Sequence, residues 1–175
     1  MKLINVLWLL GAFAFRPSSA NEAQSDEPVN AIKAVGSFSK LVLAGATVDM
    51  PMLQCVTADL KAINESAGTA TYIWHVKEQG GQKQQDVKLD YIVSPDAIDK
   101  AFGFINSDTS NPLPAQAVYS DYKTCMINTL SLPSQELCFL WVTPEAVAAI
   151  PEACETAMNE KCGGAVWHYD YNACK

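Results

Sequence analysis

Six cysteines, at 55, 125, 138, 154, 162 and 174, and two histidines, His75 and His168, are the side chains of this sequence with the most reactive chemistry. An even cysteine set suits three disulfides, and the competing uses are zinc ligation and a thiol nucleophile. Zinc is disfavoured by spacing: there is no Cys-x-x-Cys, and the histidines are far apart with no second ligand beside either. Catalysis finds no frame. The chain lacks a Gly-x-Ser-x-Gly elbow, a glycine loop for phosphate and a His-Glu-x-x-His pair. The reading is therefore three disulfides, no metal, no cofactor and no enzymatic activity. Six cysteines allow 15 pairings, and spacing alone does not choose among them.

The oxidising compartment that disulfides need is consistent with the start of the chain. After Met1 and Lys2, residues 3–15 are apolar except for Asn5, and Arg16, Pro17, Ser18, Ser19 and Ala20 follow. A charged start, a short apolar run and a small-residue end make a secretory signal, expected to be cut after Ala20, and the run is too short for a membrane span. Residues 21–175 are then a single secreted domain. Loss of Lys2 and Arg16 takes the net charge from −7 to −9 and leaves no arginine. Such an acidic chain without a basic run lacks the footprint of a nucleic-acid binder, and no later segment has the length of a membrane helix. A monomer is expected.

The elements that must position these residues are short and mostly alternating. Strands are predicted over 40–48, 52–62, 69–77, 86–93, 102–105, 115–122, 124–130 and 137–143, with turns at 64–68 and at Gly80-Gly81. Val56, Ala58, Leu60 and Ala62 share one face of the second strand. Tyr72, Trp74 and Val76 share one face of the third, and His75 has the opposite parity. Nothing between strands has room for a crossover helix, so the sheet is antiparallel, a barrel or a sandwich. A short helix is expected within 29–38. A second follows Thr143-Pro144-Glu145, divided by Pro151 and ended by Gly163.

Four pieces in order carry a family resemblance: Tyr119-Ser-Asp-Tyr-Lys-Thr-Cys125, Cys138-Phe-Leu-Trp-Val142, Ile150-Pro-Glu-Ala-Cys154 and Tyr169-Asp-Tyr-Asn-Ala-Cys174. With these pieces the chain resembles the salivary lipocalins of ticks, the family of the histamine-binding proteins. The likeness is sharpest from Tyr119 onward. It departs near the N-terminus, where the family often has a tryptophan in its first helix and this chain has Ile32. The resemblance implies a mainly β fold: an eight-stranded up-and-down barrel with a C-terminal helix packed outside, a short N-terminal helix and a ligand cavity inside. It implies the pairings Cys55–Cys174, Cys125–Cys154 and Cys138–Cys162, and secretion into saliva for evasion of host defence.

The ligand turns on two positions. Amine-binding members typically carry an acid directly after the cysteines that are here Cys125 and Cys138, and this chain has Met126 and Phe139 there. By alternation Met126, Asn128 and Leu130 share a face, as do Phe139 and Trp141. If those faces look inward, the lumen has exchanged carboxylates for thioether and aromatic surface, which suits an apolar mediator such as an eicosanoid (a leukotriene, for example), fatty acid or sterol. Tyr72, Trp74, Met126, Asn128, Leu130, Phe139 and Trp141 are the lumen candidates. Asn128, a tyrosine or Lys123 would meet the ligand's polar end. The alternatives are a biogenic amine, histamine or serotonin, and a scaffold whose outer surface blocks a host immune protein. Asp121 reads as a turn residue, and Asn64-Glu65-Ser66 as a glycosylation sequon in a turn.

Overall fold

The computed structural model describes residues 27–77, 85–170 and 173–174. The signal-peptide reading and the Gly80-Gly81 turn lie outside the described residues. Helix α1 (Ala31–Gly36) leads into β1 (Lys40–Ala46), and seven strands follow: β2 (Thr57–Asn64), β3 (Thr69–Val76), β4 (Gln85–Val93), β5 (Lys100–Ile105), β6 (Leu113–Ser120), β7 (Cys125–Leu132) and β8 (Gln135–Val142). Helix α2 (Glu152–Cys162) and a two-residue strand β9 (Val166–Trp167) complete the order. Consecutive strands pair antiparallel, and β1 pairs with both β8 and β2, so the eight strands close into a barrel. Closure leaves no long unpaired edge. Strand β9 adds to β1 at Gly45 and Ala46. A Cβ at Gly45 would sit 2.9 Å from Ala165 Cβ and 3.2 Å from the Val166 carbonyl, so only glycine lets β9 approach.

Three departures from strict alternation set details that the pattern does not show. The 52–62 stretch is not one strand: Pro51–Leu53 form a 3-10 turn and Cys55 has φ 58°, so β2 begins only at Thr57. Pro51 presets the turn conformation. A bulge between Leu60 and Ala62 then leaves Ala62 exposed rather than inward with Val56 and Ala58. Strand β6 starts earlier than expected and ends at Ser120, and a second bulge between Ala117 and Tyr119 turns Tyr119 to the outside.

Two apolar layers result. Inside the barrel, Leu41, Leu43, Val56, Ala58, Tyr72, Leu130, Phe139 and Trp141 form one core. Outside it, Cys125, Ile127, Cys138, Leu140 and Val142 of β7 and β8 pack against Cys154, Ala157 and Met158 of α2. Helix α2 follows Pro151 and ends at Gly163, whose φ of 78° closes the last turn. Disulfides Cys125–Cys154 and Cys138–Cys162 fasten this helix at both ends, and Cys55–Cys174 ties the tail to the entry of β2.

Candidate functional site

The two helix-anchoring disulfides fix which way the barrel wall faces. Cys125 and Cys138 must point outward to reach α2, so their successors Met126 and Phe139 point inward. The same parity carries Asn128, Leu130 and Trp141 into the interior, and β3 brings Tyr72 and Trp74 to meet them. Trp74 packs 4.8 Å from Trp141 and 5.8 Å from Phe139, ring centre to ring centre. Phe139 and Trp141 are fully enclosed, and Trp74 is partly so. Edge and tilted contacts of this kind add to area burial.

Between this aromatic group and α1 lies a cavity of ≈ 40 Å³, room for about three water molecules. Small inward residues create it: Ala58 on β2, Ala101 on β5, Ala115 and Ala117 on β6, and Ala31 on the helix. Larger walls come from Val35, Leu41, Tyr72, Tyr91, Gln116, Met126, Asn128 and Trp141. Among the described residues no acidic or basic side chain lines it. Helix α1 floors the cavity and is held from several sides. The Tyr72 hydroxyl shares its hydrogen between the Val35 and Phe38 carbonyls, at 2.8 and 2.7 Å. The Ala31 amide donates to the Ile98 carbonyl at 2.9 Å, and the Asn30 amide donates to the Tyr122 hydroxyl at 3.1 Å.

The polar groups of the cavity are few and partly committed. Trp141 Nε1 donates to Asn128 Oδ1 at 3.0 Å, and Asn128 Nδ2 donates to the Thr129 carbonyl at 3.3 Å. Gln116 Nε2 donates to Asp99 at 2.7 Å. Burial pushes the ionisation of both Tyr72 and Tyr91 well above the ordinary phenol, Tyr91 also by its closeness to Tyr72, so both hydroxyls stay protonated donors.

Of the lumen candidates, Tyr72, Met126, Asn128 and Trp141 line the cavity, whereas Trp74, Leu130 and Phe139 belong to the surrounding core. Tyr91, Gln116 and the alanines were not singled out in the sequence. The alternation of Val87, Leu89 and Tyr91 was the available signal for the first. Lys123, expected as a partner for a ligand's polar end, is exposed in the β6–β7 turn and is not among the residues lining the cavity. Asp121 is a turn residue: its carboxylate accepts from the backbone amides of Lys123, Thr124 and Cys125 and from the Thr124 hydroxyl. Burial opposes its charge, but these donors outweigh burial and hold it below the usual carboxylate range.

Asp59, Asp90 and His75 lie on the outer wall. Asp59 meets Lys40, Lys61 and His75, Asp90 meets Lys88, and His75 also meets Asp86. Asn64 is exposed at the end of β2, its Oδ1 accepting from Ser66 and the Ala67 amide. Among the described residues the candidate metal ligands that gather are Asp121, Cys125 and Cys154, and the two cysteines are joined to each other. No helix of the described residues is long and apolar enough to cross a membrane.

Comparison with known proteins agrees with this architecture. Solved structures of similar fold include japanin from Rhipicephalus appendiculatus bound to cholesterol. It has 15% identity and a TM-score of 0.60, with 83% of this chain and 99% of that chain covered. A serotonin complex of AM182 has 18% identity and a TM-score of 0.61, covering 85% and 96%. Lobster apocrustacyanin A1 has 10% identity and a TM-score of 0.57, covering 80% and 81%. No curated protein sequence matches the chain. The family model for tick histamine binding proteins matches residues 19–175, nearly the whole sequence, and the chain therefore belongs to the tick histamine-binding protein family.

Proposed function

We propose that this protein is secreted in saliva, cut after Ala20, glycosylated at Asn64, and acts as a monomer that sequesters a small, largely apolar host mediator inside the barrel. It performs no catalysis. The observation that carries this reading is the lining of the cavity: no described carboxylate lies on it, and the two positions where the family resemblance implies acids for an amine hold Met126, on the lining, and Phe139, in the core around it. An ammonium entering such a site loses its hydration and meets only ring faces, worth about 0.5–2 kcal/mol, too little to offset the burial of a cation. An apolar chain instead gains about 25 cal/mol for every Å² removed from water.

The two tick-type neighbours differ in ligand, cholesterol for japanin and serotonin for AM182, so fold alone does not choose. The charge of the lining favours the first kind. An eicosanoid, fatty acid or sterol exceeds the ≈ 40 Å³ available, so its entry displaces side chains, chiefly Met126, Trp141 and the Trp74 ring packed at a tilt against it. A second reading, in which the outer wall blocks a host immune protein, is favoured by exposed apolar side chains there, Phe102 and Trp167 among them.

Native mass spectrometry of the protein secreted from insect cells, before and after solvent extraction, separates the two. A co-purified apolar small molecule supports sequestration. An empty barrel that takes up no ligand but captures a host protein supports the scaffold.

A further inference from the structure

We infer that the lumen selects an electrically neutral ligand whose single polar end is a hydroxyl or carbonyl oxygen, received by the Tyr91 hydroxyl and the Asn128 amide. This rests on the reading that the cavity is a ligand site, and it divides the apolar candidates by head group: sterols, alcohols and esters on one side, ionised fatty acids and eicosanoid acids on the other.

The argument is one of donors, acceptors and charge. Asn128 has one acceptor oxygen and one NH₂ group. The oxygen is already taken by Trp141 Nε1 at 3.0 Å, and that bond fixes the amide so that its NH₂ is the group left over. One hydrogen of the NH₂ makes a 3.3 Å bond to the Thr129 carbonyl, and the other has no partner among the described residues. The Tyr72 hydroxyl is spent on the Val35 and Phe38 carbonyls, whereas Tyr91 lines the same cavity and its hydroxyl has no hydrogen-bond partner among the described residues. Its high ionisation threshold keeps it a donor.

The available groups are an amide N–H and a phenol that both donates and accepts, which together satisfy a neutral oxygen, whereas an ammonium meets no anion among the described lining residues to offset the burial of its charge. A carboxylate is also an acceptor, but burying its charge is costly without a cation beside it, and none of the described residues lining the cavity is charged. A neutral oxygen is satisfied by one or two N–H or O–H donors without a counter-ion.

A matched set with one tail and three heads tests this on the full secreted chain: 1-decanol, decanoate and decylammonium, titrated at pH 7.4 while tryptophan emission is followed. The expected order has 1-decanol bound at least tenfold tighter than either ion, with the decanoate gap closing as the pH falls towards the carboxyl pKa of about 4. Tyr91→Phe, which removes only a hydroxyl without a partner, should weaken 1-decanol by about 3- to 10-fold and leave decane unchanged. Decanoate bound as tightly as 1-decanol, or 1-decanol unaffected by Tyr91→Phe, would overturn the head-group inference while leaving the apolar lumen standing. Failure of all three to bind would overturn the lumen reading itself, and decylammonium bound tightest would overturn both.

Discussion

Trp141 Nε1 and Asn128 Oδ1, 3.0 Å apart on neighbouring strands, form a side-chain hydrogen bond inside an otherwise apolar barrel. Asn128 is 8% exposed and Trp141 3%, so each is the other's protein partner in a nearly closed interior. Replacing Asn128 by leucine keeps the branched shape and leaves the indole N–H without its acceptor. The expected cost is about 1–3 kcal/mol in urea unfolding, with a change in tryptophan emission. Asn128→Asp, which preserves the acceptor but adds a buried charge, should lose stability as the pH rises above the ordinary carboxyl range of about 4, because burial raises the folded-state pKa.

Asp121 behaves oppositely. Its folded pKa is lowered, so its contribution is complete above the unfolded carboxyl pKa of about 3.9 and disappears as the pH falls through the lower folded value. Its donors hold a turn in which Tyr122 has φ 57°. Asp121→Ala should therefore cost about 1 kcal/mol at pH 7 and progressively less towards pH 2, read from unfolding midpoints across that range. A difference independent of pH would mean that the loss is one of packing.

The Cys55–Cys174 bridge closes a loop with a sequence separation of 119, against 29 and 24 for the two that hold α2. By chain entropy it contributes about 5 kcal/mol and the others about 3.5 each. Cys55→Ser should lower stability more than Cys125→Ser or Cys138→Ser, measured by chemical denaturation. Peptide mapping without reduction should recover the three pairs with no free thiol.

Much of this was legible in the sequence because barrel strands bury alternate residues. The parity of Tyr72 and Trp74, and of Met126 and Phe139, follows from alternation, as does the antiparallel sheet with helices at its two ends, whereas its closure into a barrel, left open against a sandwich by the pattern, is what the family resemblance implies and the structure has. Alternation fails at bulges, which is why Ala62 lies off its expected face and Tyr119 faces outward although Ala117 faces in. The cavity itself was not legible. It exists because Ala58 of β2 converges with Ala101, Ala115 and Ala117 of β5 and β6, distant in sequence from it, among the large side chains of β3, β7 and β8. No local pattern marks an alanine as the wall of a void. Gln116 and Tyr91 likewise gain meaning only from what faces them across the barrel.

Phe139, at the position where the family resemblance implies an acid in amine binders, is 2% exposed. Phe139→Glu should weaken binding of an apolar ligand tenfold or more by placing a carboxylate in the lumen. It should also destabilise the protein increasingly as the pH rises above about 4.3, the ordinary glutamate pKa. A gain of histamine binding in this variant, measured by calorimetry, is the expected companion effect.

Calorimetric titration of the unmodified secreted protein with histamine and with cholesterol, at two temperatures, tests the central claim most directly. Cholesterol is expected to bind with a negative heat-capacity change, the mark of apolar burial, and histamine to give no binding heat. Tight histamine binding with no uptake of cholesterol would contradict the account and would require acids such as Asp59 or Asp90 to turn into the barrel.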